Sequence, residues 1–240
     1  EKLLNYIPKE LVIYMEEIYS INKDRNQKII FQVKELNKIL LSNNINAIFL
    51  KGAGNLIEGL YHDISERMVG DIDLICSIND YQKALKVFYE NGYRKFDKDN
   101  YNHPTYSHPD LIHHPRLIKD DRIAAIELHK ELTVEKYSKE FNYELIYRDI
   151  QKINNVNVLS FKNQLNISII SRQINDHGYF FNDIGLKNAY DVYLLSKKIK
   201  GKISFSEFKK LKTPLNCFLA SCYYIFGKVS SLQYEKTKKT

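Results

Sequence analysis

"VGDIDLIC", residues 69–76, sets two carboxylates one residue apart at the head of an otherwise apolar run. In a strand, alternate side chains share a face, so Asp71 and Asp73 point the same way. Adjacent like charges are unfavourable unless a cation neutralises them or water bathes both. A divalent metal meets the first condition. Mg2+ takes hard oxygen ligands and is commonly held by one or two carboxylates together with substrate phosphates. Glu127 in "AAIELH" interrupts a second apolar run in the same manner and is the best candidate for a third carboxylate. A bare Asp-x-Asp fits a strand with a solvated face at least as well. The residues upstream shift the balance. "INAIFL" (residues 45–50) favours a short buried strand, and "KGAGNLIEGLY" after it reads as a glycine turn entering a short helix with Leu56, Leu60 and Tyr61 inward. Backbone N–H groups at such a helix start form a phosphate cradle. Gly52 and Gly54 permit close backbone approach, while Lys51 and Arg67 can offset phosphate charge.

On the N-terminal side, Asp24 is predicted to cap a helix in which Ile29, Val33, Leu36 and Leu40 recur at helical spacing, ending at Asn43 and Asn44. Downstream, "NDYQKALKVFYENGY" is an amphipathic helix with Tyr81, Ala84, Leu85 and Phe88 inward and Gly92 as its stop. "RLIKDDRIAAIELH" predicts a hairpin turning at residues 119–121, which carries Glu127 on a third strand. Beyond Lys130 the pattern is mostly helical. "NQLNISIISRQI", "IGLKNAYDVYLLSKKI", "SFSEFKKL" and "TPLNCFLASCYYIFG" read as successive helices, with Ser204 and Glu207 as a capping box and Thr213-Pro214 as a cap followed by proline. The terminal "EKTKKT" reads as a frayed tail.

The 240 residues, 44% of them hydrophobic, suffice for one large or two modest domains. The net charge of +7 favours anionic partners such as nucleotides, phosphosugars or RNA, although a Lys-, Asn- and Ile-rich composition from an AT-rich genome gives the same charge. Cys76, Cys217 and Cys222 form no CxxC pair and leave an odd count, which fits reduced thiols and a cytoplasmic location. Neither a signal peptide nor an apolar run of membrane-spanning length is visible, so no membrane partner is expected. The chain begins with Glu rather than Met, consistent with a few missing native residues. "NHPTYSHPDLIHHP" gathers His103, His108, His113 and His114, but without a nearby cysteine they read as polar loop residues lining a substrate entrance rather than as a zinc site. Asp191 reads as a helix-surface or interhelix residue, and the Tyr-rich C-terminal helices read as core.

"LKGAGNLIEGLYHDISERMVGDIDLIC" resembles the signature of the uncharacterised nucleotidyltransferase family within the polymerase β-like superfamily, whose members show "LKG", a tyrosine, an arginine and then "DIDLLV". The likeness continues through "NGY", "HHP" and "IELHKEL", and weakly to "GLKNAYDVYLL", so it covers residues 45–195. It implies an α+β fold: a small mixed sheet with flanking helices, preceded by N-terminal helices and followed by a helical C-terminal region. The expected division is 1–44, 45–141 and 142–240. The resemblance further implies that Asp71, Asp73 and Glu127 bind two Mg2+ (or Mn2+) ions and carry catalysis. It places Lys51, Gly52, Ala53, Gly54, Arg67 and His129 around the nucleotide. His114 and His129 match family positions bordering the site, with His129 sharing the strand face of Glu127. The superfamily's Gly-Ser turn is here Gly52-Ala53, so no serine hydroxyl is available for triphosphate contact.

The implied activity is transfer of a nucleoside monophosphate from NTP, ATP among them, to an acceptor hydroxyl on a small molecule, protein or tRNA, with pyrophosphate release. A toxin acting on tRNA, with a cognate partner encoded nearby, lies within this class. The alternatives are a catalytically degenerate nucleotide-binding or interaction module and, ranked lowest, a nucleic-acid-binding protein. The last lacks a recognisable RNA-binding motif or a dense basic stripe with stacking aromatics.

Overall fold

The computed structural model describes residues 6–96 and 112–236. His103, His108 and residues 237–240 of the tail lie outside the described residues. The chain opens on α1 (Lys9–Ser42), followed by β1 (Ile48–Phe49), α2 (Lys51–Glu58), β2 (Asp71–Ile75), α3 (Tyr81–Glu90), β3 (Arg94–Lys95), β4 (Leu117–Ile118) and β5 (Ala125–His129). Next come short helices α4 (Glu135–Ser138) and α5 (Tyr143–Tyr147), then the hairpin β6 (Ile150–Ile153) and β7 (Val156–Leu159). The chain finishes with α6 (Phe161–Ile170), α7 (Gly178–Phe181), α8 (Leu186–Ser196) and α9 (Lys212–Ile225).

The described strands form one seven-stranded mixed sheet in the order β3-β4-β5-β2-β1-β7-β6. The α+β class with a small mixed sheet is therefore observed. β2 runs antiparallel to β1 and parallel to β5, and β4 returns antiparallel along β5 as the predicted hairpin. The core is continuous from Ile29, Val33, Leu36 and Leu40 of α1, through Phe49, Ile72 and Leu128 in the sheet, to Phe218 and Leu219 of α9. No helix among the described residues is long and apolar enough to cross a membrane.

Several local expectations differ. Asp24 does not start α1. It lies within the helix, paired with Lys28 at 2.6 Å. Residues 9–23 contain neither glycine nor proline, so the helix propagates back to Pro8. Its end at Asn43 is as expected. β6 and β7 were not foreseen; β7 extends the sheet by pairing parallel with β1, and two left-handed asparagines, Asn154 and Asn155, make the turn between them. "SFSEFKKL" is not a helix. Glu207 pairs with Lys162 at 2.7 Å, and Ser204 donates to Glu235 and accepts from the Ser206 N–H in place of the expected box with Glu207. Helix α9 starts at Lys212 without a Thr213 cap, because the Glu140 carboxylate accepts from the backbone N–H groups of Lys209, Lys210 and Leu211 just ahead of it. A tertiary carboxylate replaces the local cap.

The expected glycine turn is not a turn: α2 begins at Lys51, so Gly52 and Gly54 are helical, and Gly54 has a packing reason of its own. A Cβ on Gly54 would stand 2.6 Å from the Phe49 carbonyl oxygen, where backbone meets backbone. Gly54→Ala is therefore expected to cost about 1–3 kcal/mol through overpacking. A urea midpoint equal to that of the wild type would contradict this.

Candidate active site

Strand register builds the site. On parallel neighbours β2 and β5, Asp73 lies opposite Glu127 and Ile75 opposite His129. Period-2 alternation then puts Asp71 and Asp73 on one strand and Glu127 and His129 on the next onto a common face. Ligand atoms of Asp73, Glu127 and His129 lie within 4.8 Å of one another, and all three residues are buried. Such spacing lets a single cation reach them together.

Two cations of the chain already touch these carboxylates. Lys51 stands at the start of α2 in a left-handed conformation (φ 49°), which costs a non-glycine residue about 1–2 kcal/mol. Its Nζ donates to Asp73 Oδ1 at 2.6 Å, and His129 Nε2 meets the same oxygen at 2.8 Å. Arg116, just before β4, donates from Nε to Glu127 Oε1 at 2.8 Å and from a terminal nitrogen to Asp71 Oδ2 at 3.1 Å. His113 Nε2 lies 3.8 Å from Glu127 Oε2.

Charge coupling separates the two aspartates. Burial raises the Asp71 carboxyl, and Asp73 and Glu127 raise it further against the pull of Lys51 and Arg116. Burial acts upward on Asp73 too, but the Lys51 ammonium and the His129 hydrogen bond outweigh it and hold Asp73 below the usual carboxylate range. Burial lowers His129, helped by Lys51, which keeps the imidazole neutral. Lys51 is opposed by burial yet raised overall by Asp73, Glu127 and Asp71, so it stays charged. The signs differ. A raised carboxyl favours its protonated form in the fold, so charged Asp71 detracts from stability and its contribution improves as pH falls. A lowered carboxyl stabilises above its unfolded pKa and loses that contribution as pH falls through its folded pKa. With chelator present at pH 7, Asp71→Asn is expected to raise the melting temperature and Asp73→Asn to lower it. Shifts of the same sign in calorimetry would contradict the assignment.

The carboxylates open into a cavity of about 340 Å³, bordered on the sheet side by Lys51, Gly52, Asp71, Asp73, Arg116 and Glu127. Its opposite wall comes from α6, the π-helical turn that extends it (Ser171–Asn175) and α8, including Ser168, Ser171, Lys187 and Asn188. Of the remaining expected residues, Ala53 and Gly54 are buried outside this lining, and His129 backs Asp73 from within the strand. Arg67 reaches the cavity, but its guanidinium bonds both oxygens of Asp191 at 3.0–3.3 Å and the Met68 carbonyl. Asp191, on α8, is 2% exposed and also accepts from the Tyr61 hydroxyl at 2.9 Å, so it is an interhelix residue and not a surface one. His114 is outside the lining, near Tyr89, and His113 takes the bordering place instead. Sequence reasoning passed over Arg116. Its signal was available: once the hairpin pairs Leu117 with Ile126, Arg116 falls opposite Glu127.

The family described as "Uncharacterised nucleotidyltransferase" matches residues 1–226. The chain belongs to this family. Among solved structures, an antigenic nucleotidyltransferase-like protein from Paracoccidioides brasiliensis is similar, with 17% identity and a TM-score of 0.47 over 86% of this chain and 92% of that one. No curated protein matches. For this nucleotidyltransferase family member, the buried group of Asp73, Glu127 and His129, with Asp71 on the same face, is compatible with binding a divalent cation. Lys51 and Arg116 place positive charge against these carboxylates.

Proposed function

We propose that this protein moves a nucleoside monophosphate from a nucleoside triphosphate to an acceptor hydroxyl on a small molecule, protein or tRNA. The observation that carries this reading is the Asp73–Glu127 register pair, with Asp71 on the same face and Lys51 fixed against Asp73. Asp71, Asp73 and Glu127 would hold Mg2+ or Mn2+, which supplies charge neutralisation for the phosphates. The acceptor oxygen forms a bond to the α-phosphorus while the bond from that phosphorus to the bridging oxygen breaks, and pyrophosphate leaves. Glu127 accepts the acceptor's proton, the general-base role its position on β5 favours. Lys51 and Gly52 border the phosphates from the start of α2, and Lys187 adds positive charge from the opposite wall. Positioning and electrostatics carry most of the rate in phosphoryl-type transfers, so no covalent nucleophile is required.

Asp73→Asn is expected to abolish the Mg2+ dependence of NTP affinity, and Lys51→Ala to weaken NTP binding at saturating metal. Equilibrium binding of labelled NTPs with and without Mg2+ tests both. An Asp73→Asn protein that keeps the wild-type metal dependence would overturn the site assignment. Screening labelled NTPs against pooled small molecules, tRNA and protein identifies the acceptor.

A further inference from the structure

A second cavity, of about 1070 Å³, is bordered by α4, α5, the first half of α6 and the chain ahead of α9. Its apolar lining is Phe141, Leu145, Ile146 and Phe208, and the rings of Phe141 and Phe208 meet edge to face at 6.4 Å. α6 separates it from the catalytic cavity. Asn166 lines this one and Ser168 the other, and two residues are about 200° apart around a helix. Asn166 is 2% exposed, and its Oδ1 has no partner among the described residues. A buried polar group left unmet destabilises the native state, so the fold gains nothing from an amide here. The rim is charged. Glu207 pairs with Lys162 at 2.7 Å, Asp149 accepts from the Ser160 hydroxyl at 2.6 Å, and Glu140 accepts from the backbone N–H groups ahead of α9. Lys136, Lys139 and Lys209 line the cavity and enter no ion pair among the described residues. The lining holds five ammonium groups against four carboxylates, and three of the carboxylates are already bonded within the protein. The surplus is positive.

We propose that this cavity binds a small organic anion with a flat apolar body, at a site separate from the catalytic one. The body packs among Phe141, Leu145 and Phe208, and Leu145, 44% exposed, offers apolar surface that no other part of the chain covers. A hydrogen-bonding atom on the body meets the Asn166 amide. That amide turns about a broad terminal torsion, so either its oxygen or its N–H group can serve. The acidic group, a carboxylate, sulfonate or phosphate, sits at the rim on Lys139 and Lys209, whose long stems let the ammonium groups close on it. A neutral ligand leaves those charges unanswered, and a purely polar anion leaves the apolar lining in water. An apolar lining with a few placed polar groups is the usual form of a small-ligand site. The site does not depend on the nucleotide chemistry of the other cavity.

The test titrates the full chain, by fluorescence, with two dyes of one shape: anilinonaphthalene sulfonate, which is an anion, and phenylnaphthylamine, which lacks the sulfonate. Wild type is expected to bind the anion at one saturable site, about tenfold more tightly than the neutral dye. Lys139→Gln with Lys209→Gln should abolish that preference and leave the neutral dye unchanged. Asn166→Leu should bind both dyes about tenfold more weakly and melt at a higher temperature, because the amide that binds the dye is also the one the fold leaves unmet. The lysine variant alters exposed residues alone and keeps the test readable if Asn166→Leu does not fold. Phe180→Ser with Leu186→Ser, which removes exposed apolar surface elsewhere, should change neither affinity. Equal binding of the two dyes by wild type, or an anion preference that survives in the lysine variant, overturns the proposal. So does an Asn166→Leu protein with wild-type affinity for both dyes. Loss of binding in the Phe180 and Leu186 variant would place the dye on that surface and overturn it too.

Discussion

Glu127→Gln is expected to lower pyrophosphate release by about a hundred- to ten-thousand-fold, the range general-base catalysis supplies, while NTP still binds. Glutamine nearly matches glutamate in volume, and its amide oxygen can still accept from Arg116 Nε, so the β5 face keeps its shape. On the proposed mechanism the variant can no longer accept the acceptor's proton, and it removes one carboxylate from the face shared with Asp71 and Asp73. Nucleotide affinity is expected to fall less, because Lys51, Gly52 and Lys187 line the cavity from other elements. Two measurements separate these effects: calorimetric NTP affinity, and the rate of pyrophosphate release with an acceptor found by screening. Wild-type release from Glu127→Gln would remove Glu127 from the mechanism. Loss of binding equal to the loss of rate would make its part ground-state charge balance instead.

The acidic face was legible because strand alternation is a strict period. Asp71 and Asp73 share a face wherever residues 71–75 form a strand, and Glu127 joins them once the hairpin around residues 119–121 is recognised. Arg116 was harder to see, because its importance depends on cross-strand register and not on its neighbours in sequence. Gly54 was visible as a glycine but open to two explanations. Only the 2.6 Å approach to the Phe49 carbonyl shows that helix-on-strand packing demands it. β6 and β7 were missed because each is four residues long, and the pairing of β7 with β1 spans about a hundred residues of chain. Helix starts failed where a distant side chain does the capping, as Glu140 does ahead of α9. Asp191 carried a signal that was undervalued: a carboxylate inside the apolar run "AYDVYLL" needs a buried partner, and Arg67 is that partner.

That pair sets the largest expected change in stability. Asp191 and Arg67 are 2% and 8% exposed, and the carboxylate also accepts from Tyr61, whose hydroxyl in turn accepts from Asn55. Asp191→Ala strands a buried guanidinium and is expected to cost about 3–5 kcal/mol. For a chain of this size that lowers the melting temperature by roughly 10 °C. The cost is that of an uncompensated charge and not the intrinsic worth of the ion pair. Replacing both partners, Arg67→Met with Asp191→Leu, is therefore expected to recover most of the loss, since packed apolar groups need no counter-charge. Thermal melts of the three variants decide it. A single variant melting within 1–2 °C of wild type, against the expected drop of roughly 10 °C, would show that water reaches Arg67 and that the pair is not effectively buried. A double variant no more stable than Asp191→Ala would instead assign the cost to the broken Tyr61 and Asn55 bonds. The pair also has a consequence for the site. Asp191 keeps Arg67 engaged on the α8 side, so this guanidinium does not become a third cation on Asp71, Asp73 and Glu127. With Arg67 so held, Asp71, Asp73 and Glu127 are faced among the described residues by Lys51 and Arg116 rather than by Arg67, which leaves the acidic character of that face to those pairings.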